Sequence, residues 1–410
     1  MSELITRCCI AGGGPAGMML GLLLARAGVD VVVLEKHADF LRDFRGDTVH
    51  PSTLEILHEL GMLDDFLKRP HQELRTLGGR LGGVGFELAD MRHLPTRCKF
   101  VALMPQWDFL DFIAGQAKQV PGFRLLMLAE VTDLIEEGGV IVGVRATTPD
   151  GALNVRAHLV VGADGRHSTV RMRAGLQSTD LGAPIDVLWM RLSRHAGDPA
   201  QSLGQIEAGL MLVTLDRGDY WQCAFVIAKG GFDAIREKGL PAFRERIATV
   251  APYLADRVGE LADWDHIKLL TVSVDRLRRW YRPGLLCIGD AAHAMSPVGG
   301  VGINLAIQDA VATANILAPA LLRGTPTPPE LSRVQRRREL PTRMTQRAQV
   351  FVQDRVFRGV LGSARTPRLP LALRLLGRFP VLRRIPARLV GMGIRPEHVL
   401  NRSSRPARSP

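Results

Sequence analysis

Three carboxylates stand where an apolar run meets glycine: Glu35, Asp164 and Asp290. An acid at a strand end can accept hydrogen bonds from ligand hydroxyls. Adjacent glycines leave backbone N–H groups bare for phosphate oxygens. The first set is the most explicit. Residues 4–10 form an apolar run, and Gly12-Gly13-Gly14-Pro15-Ala16-Gly17 fits G-x-G-x-x-G. An apolar helix is expected over 16–27, then a second strand over 30–34 that ends at Glu35. A βαβ unit with an acid about 20 residues beyond the glycines is the pattern of a dinucleotide site. Gly12 serves the tight turn, Gly14 the approach of a pyrophosphate, and Gly17 the close packing of helix on strand. Glu35 is placed for a ribose diol. An isolated G-x-G-x-x-G also occurs in ordinary loops. The flanking strands, helix and acid carry the weight here, without choosing among dinucleotides.

The second and third sets lie far downstream. Residues 159–163 form a strand that runs into Asp164-Gly165, followed by Arg166, Ser168 and Arg171. Residues 284–288 form another, ending at Gly289-Asp290 and continuing through His293, Pro297, Gly299, Gly300, Gly302, Ile303 and Asn304 into an apolar helix to about residue 322. Asp164-Gly165 alone passes as a turn, and 297–302 alone as a flexible loop. Three glycine-rich strand ends in one chain are hard to explain as turns. The helix that begins near Gly302 aims its positive end at the same place as the bare glycines.

In this order the three sets resemble the signatures of the class A flavin monooxygenases, the family with the para-hydroxybenzoate hydroxylase fold. The resemblance spans roughly residues 4–325. It implies an α/β protein in which a Rossmann-like FAD-binding domain (of the GR2 βαβ type) is interleaved with a β-sheet substrate domain and followed by a C-terminal helical segment. It implies FAD as cofactor, NAD(P)H as electron donor and O2 as co-substrate, with oxygen transferred from a C4a-hydroperoxyflavin to an aromatic small molecule. It also assigns roles. Gly12, Gly14, Ala16, Gly17, Glu35 and Lys36 would hold the adenosine and pyrophosphate, and Arg45 would lie near the pyrophosphate and ribityl chain. Gln106 resembles the family's FAD-contacting glutamine, and Val131 the residue whose backbone meets adenine. Asp164 and Gly165 form the DG motif. Asp290 would hold the ribityl chain, Pro297 would sit beside the reactive flavin edge, and Gly300, Gly302, Ile303 and Asn304 would meet the ring.

The resemblance divides the chain into a discontinuous FAD-binding part (1–74, 97–180, 271–325) and a substrate sheet (75–96, 181–270). A helical, arginine-rich lobe (326–400) and a disordered tail (401–410) follow. Strands are expected over 185–192, 209–215 and 221–228, and helix over 232–250. A charged helix over 331–357 reads as a solvated face. The net charge of +12 is concentrated: residues 355–410 hold 13 arginines, no lysine and one acid, Glu397. The other 354 residues balance 40 bases against 40 acids, which argues against nucleic acid as a partner. The basic, leucine-rich tail suits either a lobe capping the flavin part or a peripheral membrane contact. Residues 8–25 are uncharged, but Gly12–Pro15 would break a membrane helix there. Five irregularly spaced cysteines with no CxxC pair point to core thiols, a reducing cytoplasmic compartment and no metal.

A base that activates the substrate is not evident. His50, ahead of Pro51, is the candidate able to face the flavin, although a structural role at a helix start suits it better. His293 reads as a loop-fixing residue. Tyr220, Tyr253 and Tyr281 match no activating position. An aromatic content of 5% points to an aliphatic pocket. The alternative activity is an FAD-dependent reductase, epoxidase or dehydrogenase on a lipophilic substrate.

Overall fold

The computed structural model describes residues 2–41, 48–199, 203–361 and 369–400. Arg45 and the 401–410 tail lie outside the described residues. Two large sheets organise the chain.

The first sheet runs in the order Tyr281–Arg282, Leu285–Cys287, Gly151–Gly162, Ser2–Ala11, Val31–Leu34, Phe123–Leu126. From Leu285–Cys287 onward all neighbours are parallel. Parallel strands are covered on both faces, which is why these segments read as unbroken apolar runs. Cys8, Cys9, Ile10, Val31, Val33, Leu159, Val160 and Val161 are all buried. Helices Pro15–Arg26 and Gly302–Arg323 pack together over them, and Gly21 lets the first helix sit against Phe123 and Val33. An antiparallel hairpin, Glu130–Glu137 and Val140–Thr148, extends the sheet beside the first half of Gly151–Gly162.

The second sheet has seven strands, in the order Lys268–Leu270, Ile185–Ser193, Tyr220–Ala228, Leu210–Asp216, Leu203–Glu207, Thr76–Leu81, Val84–Asp90. Side chains alternate across it. On one face Leu188, Met190, Trp221, Cys223 and Phe225 pack under Phe243 and Ile247 of helix Leu240–Val250. On the other, Leu81, Ile185, Ile206, Met211 and Val226 meet Val298, Phe357 and Val360. The helix expected over 232–250 is interrupted: Gly239 at φ +84° separates Phe232–Glu237 from Leu240–Val250.

The charged helix runs from Pro328 to Val352, started by a capping box between Thr327 and Glu330. It is not merely a solvated face. Leu331, Val334, Gln335, Arg338, Thr342, Gln346 and Gln349 recur at helical spacing and are buried. The apolar helix Gly302–Arg323 is long enough to cross a membrane, yet its most apolar stretch is 78% buried, as a core helix is. All five cysteines are buried and free.

Candidate functional site

The parallel strands end together. The backbone leaves them at Glu35, Gly12, Ala163-Asp164 and Ile288-Gly289-Asp290, at the carboxyl edge where open α/β sheets bind ligands. Missing side chains let the three motifs touch. A Cβ on Gly12, whose φ is +102°, would fall 2.4 Å from the Ala163 carbonyl oxygen and 2.7 Å from Asp164 Cα. A Cβ on Gly289 would fall 3.1 Å from Ala16 Cβ and 3.3 Å from Ala306 Cβ. The first turns of the two long helices therefore meet on either side of the third motif. Ala163 N–H donates to the Ala11 carbonyl at 2.8 Å, and Ile288 N–H to that of Gly162 at 2.9 Å. Across the site, Arg166 comes within 3.9 Å of Asp290.

The residues of the edge suit a dinucleotide. Helix Pro15–Arg26 has extended Gly14 as its N-cap, with no side-chain cap and no acid in its first turn. A Cβ at Gly14 would meet nothing within 4 Å, so open space lies where a pyrophosphate would approach. Helix Gly302–Arg323 is likewise uncapped by any side chain and free of first-turn acids. Glu35 is buried at the mouth. It accepts from Gly13 N–H at 2.8 Å and His37 N–H at 3.1 Å, and its Oε1 lies 2.5 Å from His37 Nδ1. The 128–131 segment closes on the same strand end through an Ala129 N–H bond to the Glu35 carbonyl. Val131 is buried there, and Lys36 is exposed.

Residues 5–348 match the FAD binding domain family. The chain belongs to this family. It is 36% identical to a 6-methylpretetramide 4-monooxygenase of Streptomyces rimosus, over 94% of this chain and 92% of the relative. It is 30% identical to a dialkyldecalin synthase of Streptomyces rugosporus, over 74% of this chain and 63% of that protein. Among solved structures, an anhydrotetracycline hydroxylase from Streptomyces rimosus superposes with a TM-score of 0.72 at 25% identity, covering 95% of this chain and 76% of its own. The fold is the FAD-dependent hydroxylase fold, and the protein is an FAD-dependent oxidoreductase.

In this flavoprotein the remaining expected residues fall as follows. Gln106 opens helix Gln106–Ala117. The Asp164 carboxylate turns inward, to the Ser168 hydroxyl at 2.5 Å and Val170 N–H at 3.1 Å. Burial raises its pKa against those hydrogen bonds. In this arrangement it holds its own loop in place. Gly165, at φ +87°, borders open space. Pro297 starts a short turn, and Gly300, at φ +63°, sits so close to Thr48 that a Cβ would fall 2.4 Å from its Oγ1. Gly302 and Ile303 begin the long helix, half-buried. The Asn304 side chain is buried and accepts from Ser52 and Thr53 hydroxyls at 3.1 and 2.5 Å. His50 does not offer a base. It is 1% exposed, its Nδ1 donates to the Val390 carbonyl at 2.8 Å, and its Nε2 is sealed inside. Burial lowers its pKa. The ring ties the C-terminal lobe to the flavin part.

Beneath the third motif lies an ion network that sequence reading missed. Asp309, fully buried, accepts from Gly289 N–H at 3.1 Å, His293 Nε2 at 2.6 Å and Arg338 Nε at 2.9 Å. Burial pushes its pKa up, but His293 and Arg338 more than offset that and hold it below the ordinary carboxylate range. Arg338 also reaches Glu397 at 3.2 Å, which pairs with Arg337 at 2.7 Å. His293 is thus the loop-fixing residue, as expected. Two glutamines of the same helix brace the loop's backbone. Gln346 Nε2 donates to the Asp275 and Ala294 carbonyls at 2.7 and 3.1 Å, and Gln349 Nε2 to those of Ser296 and Val298 at 3.0 and 2.9 Å. The signal was the buried helical phase shared by Gln335, Arg338, Thr342, Gln346 and Gln349, hidden by the surrounding charge.

No tyrosine serves the face turned to Val298. Tyr253 lies on the opposite face, bonded to Gln205 and Thr214. Tyr281 is on the edge strand of the other sheet. Tyr220 shares the face with Val226 but stands six residues along the strand, roughly 20 Å away.

Proposed function

We propose that this protein is an NAD(P)H-dependent flavin monooxygenase that places one oxygen atom on a polycyclic aromatic substrate. The carrying observation is the near-full-length 36% identity with an enzyme named for hydroxylating 6-methylpretetramide. The sheet face turned to the Pro297 loop is apolar, which suits a ring-rich molecule, but Val298, Phe357 and Val360 already pack on Leu81, Ile206, Met211 and Val226, so a substrate entering there would displace them. Bound FAD supplies the hydride acceptor and the site of oxygen activation.

The chain's own groups bind, orient and insulate. Gly12, Gly14, Ala16 and Gly17 with the first helix N-terminus hold the pyrophosphate, and Glu35 the adenosine ribose. Lys36 would stand by the phosphates, and Gln106 and Val131 would border the nucleotide. Gly165 and Asp290 would border the middle of the cofactor, on a loop that Asp164 holds through Ser168 and Val170. Pro297, Gly300, Gly302, Ile303 and Asn304 present backbone to the ring. The aliphatic wall keeps water from the reacting centre. Gln353 is the polar counterpart. It is fully buried, follows the glutamines that brace the Pro297 loop on one helix phase, and neither amide atom has a partner among the described residues. A π-helical turn spans Gln353–Phe357, and such turns recur at functional sites. We assign Gln353 as the amide that pairs with a carbonyl or phenol of the substrate.

A second reading follows from the dialkyldecalin synthase relative, whose name describes no oxygen transfer: a flavin-dependent conversion of a lipophilic molecule without oxygenation. One assay separates them. The flavin-loaded protein is given NADPH or NADH and O2 with a panel of polycyclic phenols. NAD(P)H oxidation stimulated by substrate, with a product heavier by one oxygen, is expected. Product of unchanged oxygen content would overturn the hydroxylase reading in favour of the second. Flavin that neither donor reduces, with every substrate present, would remove the NAD(P)H step.

A further inference from the structure

Helices Leu371–Arg378 and Arg384–Gly391, joined by the Pro380–Arg383 turn, form a hairpin with two unlike sides. The inner side is anchored. Ala387 and Gly391 are buried, and a Cβ on Gly391 would fall 2.7 Å from Leu94 and 3.3 Å from Pro51. Arg383 pairs with Glu87, and the Val390 carbonyl receives His50. The outer side carries Leu371, Leu375 and Phe379 at four-residue steps, then Val381, Leu382, Ile385 and Leu389, all exposed. Leu371, Val381 and Ile385 are 68%, 65% and 61% exposed. Arg374, Arg378, Arg384 and Arg388 are exposed beside them. Single exposed leucines are ordinary, whereas a contiguous apolar stripe on one hairpin marks an interaction surface.

Charge decides the occupant. Residues 362–368 and 401–410, which lie on either side of the hairpin in the chain, contain no large apolar side chain to match the stripe. A second copy across a two-fold axis would set the same arginines against each other. The one acid of residues 355–410, Glu397, is already engaged by Arg337 and Arg338. An anionic bilayer answers both features at once: headgroup phosphates take the arginines, and the acyl boundary takes Leu, Ile, Val and Phe from a helix lying flat. We propose that the hairpin is a monotopic anchor for an anionic lipid surface. The anchor needs no transmembrane span and stands independently of which substrate the flavin site takes.

Flotation of the full-length flavoprotein tests it, with phosphatidylcholine vesicles and with vesicles containing about one third phosphatidylglycerol. Binding to the anionic vesicles alone, weakened about tenfold or more between low salt and about 0.5 M, is expected. Two variants partition the effect: L375S/F379S/I385S/L389S and R374Q/R378Q/R384Q/R388Q. Both should keep wild-type flavin content and Tm, since the changed groups are exposed, and both should lose flotation by about tenfold or more. The proposal falls if the wild type floats with neither vesicle, or with both equally. It also falls if either variant, folded and flavin-loaded, floats like wild type. Concentration-dependent self-association without lipid, abolished by the first variant, would instead assign the stripe to a second copy.

Discussion

Replacing Arg338 with methionine tests whether the buried network positions the third motif. The change keeps most of the side-chain volume and deletes one cation. Asp309 keeps Gly289 N–H and His293, and Glu397 keeps Arg337. Breaking a buried pair by removing one partner costs about 3–5 kcal/mol, and the surviving partners place this case near 3. With an unfolding entropy of about 2.1 cal/mol/K per residue over 410 residues, that is a fall in Tm of roughly 3–4 °C. The flavin reads out position separately. The Gly289–Asp290 turn is held by the carboxylate that loses its cation, so FAD affinity should fall about tenfold, or about 1.4 kcal/mol. FAD fluorescence on heating gives the first number, and titration of the apoprotein the second. Asp309→Asn in the R338M background removes the uncompensated charge while keeping an acceptor, and should recover about 1–2 kcal/mol. A Tm within about 1 °C of wild type and unchanged FAD affinity in R338M would refute the reasoning.

Three further outcomes are expected. Gly14→Ala puts a methyl into open space at an ordinary φ of −73°, so the apoprotein Tm should hold within about 1 °C while FAD affinity falls tenfold or more; an apoprotein that unfolds, or unchanged affinity, contradicts the assignment. His50→Asn keeps a donor for Val390. Because burial lowers the His50 pKa, the folded ring stays neutral while the unfolded one gains a proton below about pH 6.5, so wild-type stability is lost as pH falls from there. The variant should show a flatter Tm profile between about pH 6.5 and 5, with turnover changed less than about threefold; a turnover loss beyond a hundredfold would restore His50 as a base. Gln353→Leu deletes an unpartnered buried amide, so Tm should hold or rise while KM for the aromatic substrate rises about tenfold. Unchanged KM would show that the amide does not touch substrate.

The cofactor site was legible because its parts are local. A glycine after a strand, an acid at the next strand end and a helix start each impose their geometry within a few residues. Gly12, Gly17 and Glu35 could therefore be placed before any long-range contact was known. The strand ends at Asp164 and Asp290 were legible for the same reason. What each carboxylate touches was not. Asp164 turns to Ser168 and Val170, a choice made by the short helix that folds back on it.

The sequence by itself determined the class of ligand, the parallel core and the concentration of positive charge at the C-terminus, because composition and period are properties of the chain. Tertiary structure alone decided which arginine of the 336–338 run is buried. Helix phase against Gly302–Arg323 carries Arg338 to Asp309 and leaves Arg337 half-exposed on Glu397. Those partners stand 29 and 60 residues apart, a separation that no local spacing rule reaches. Likewise His50 looked available beside a flavin motif until the Val390 carbonyl, 340 residues away, claimed its proton. The physical reason is the same in each case: backbone geometry is set by neighbours in the chain, whereas the partner of a buried charge is set by whatever the fold packs against it.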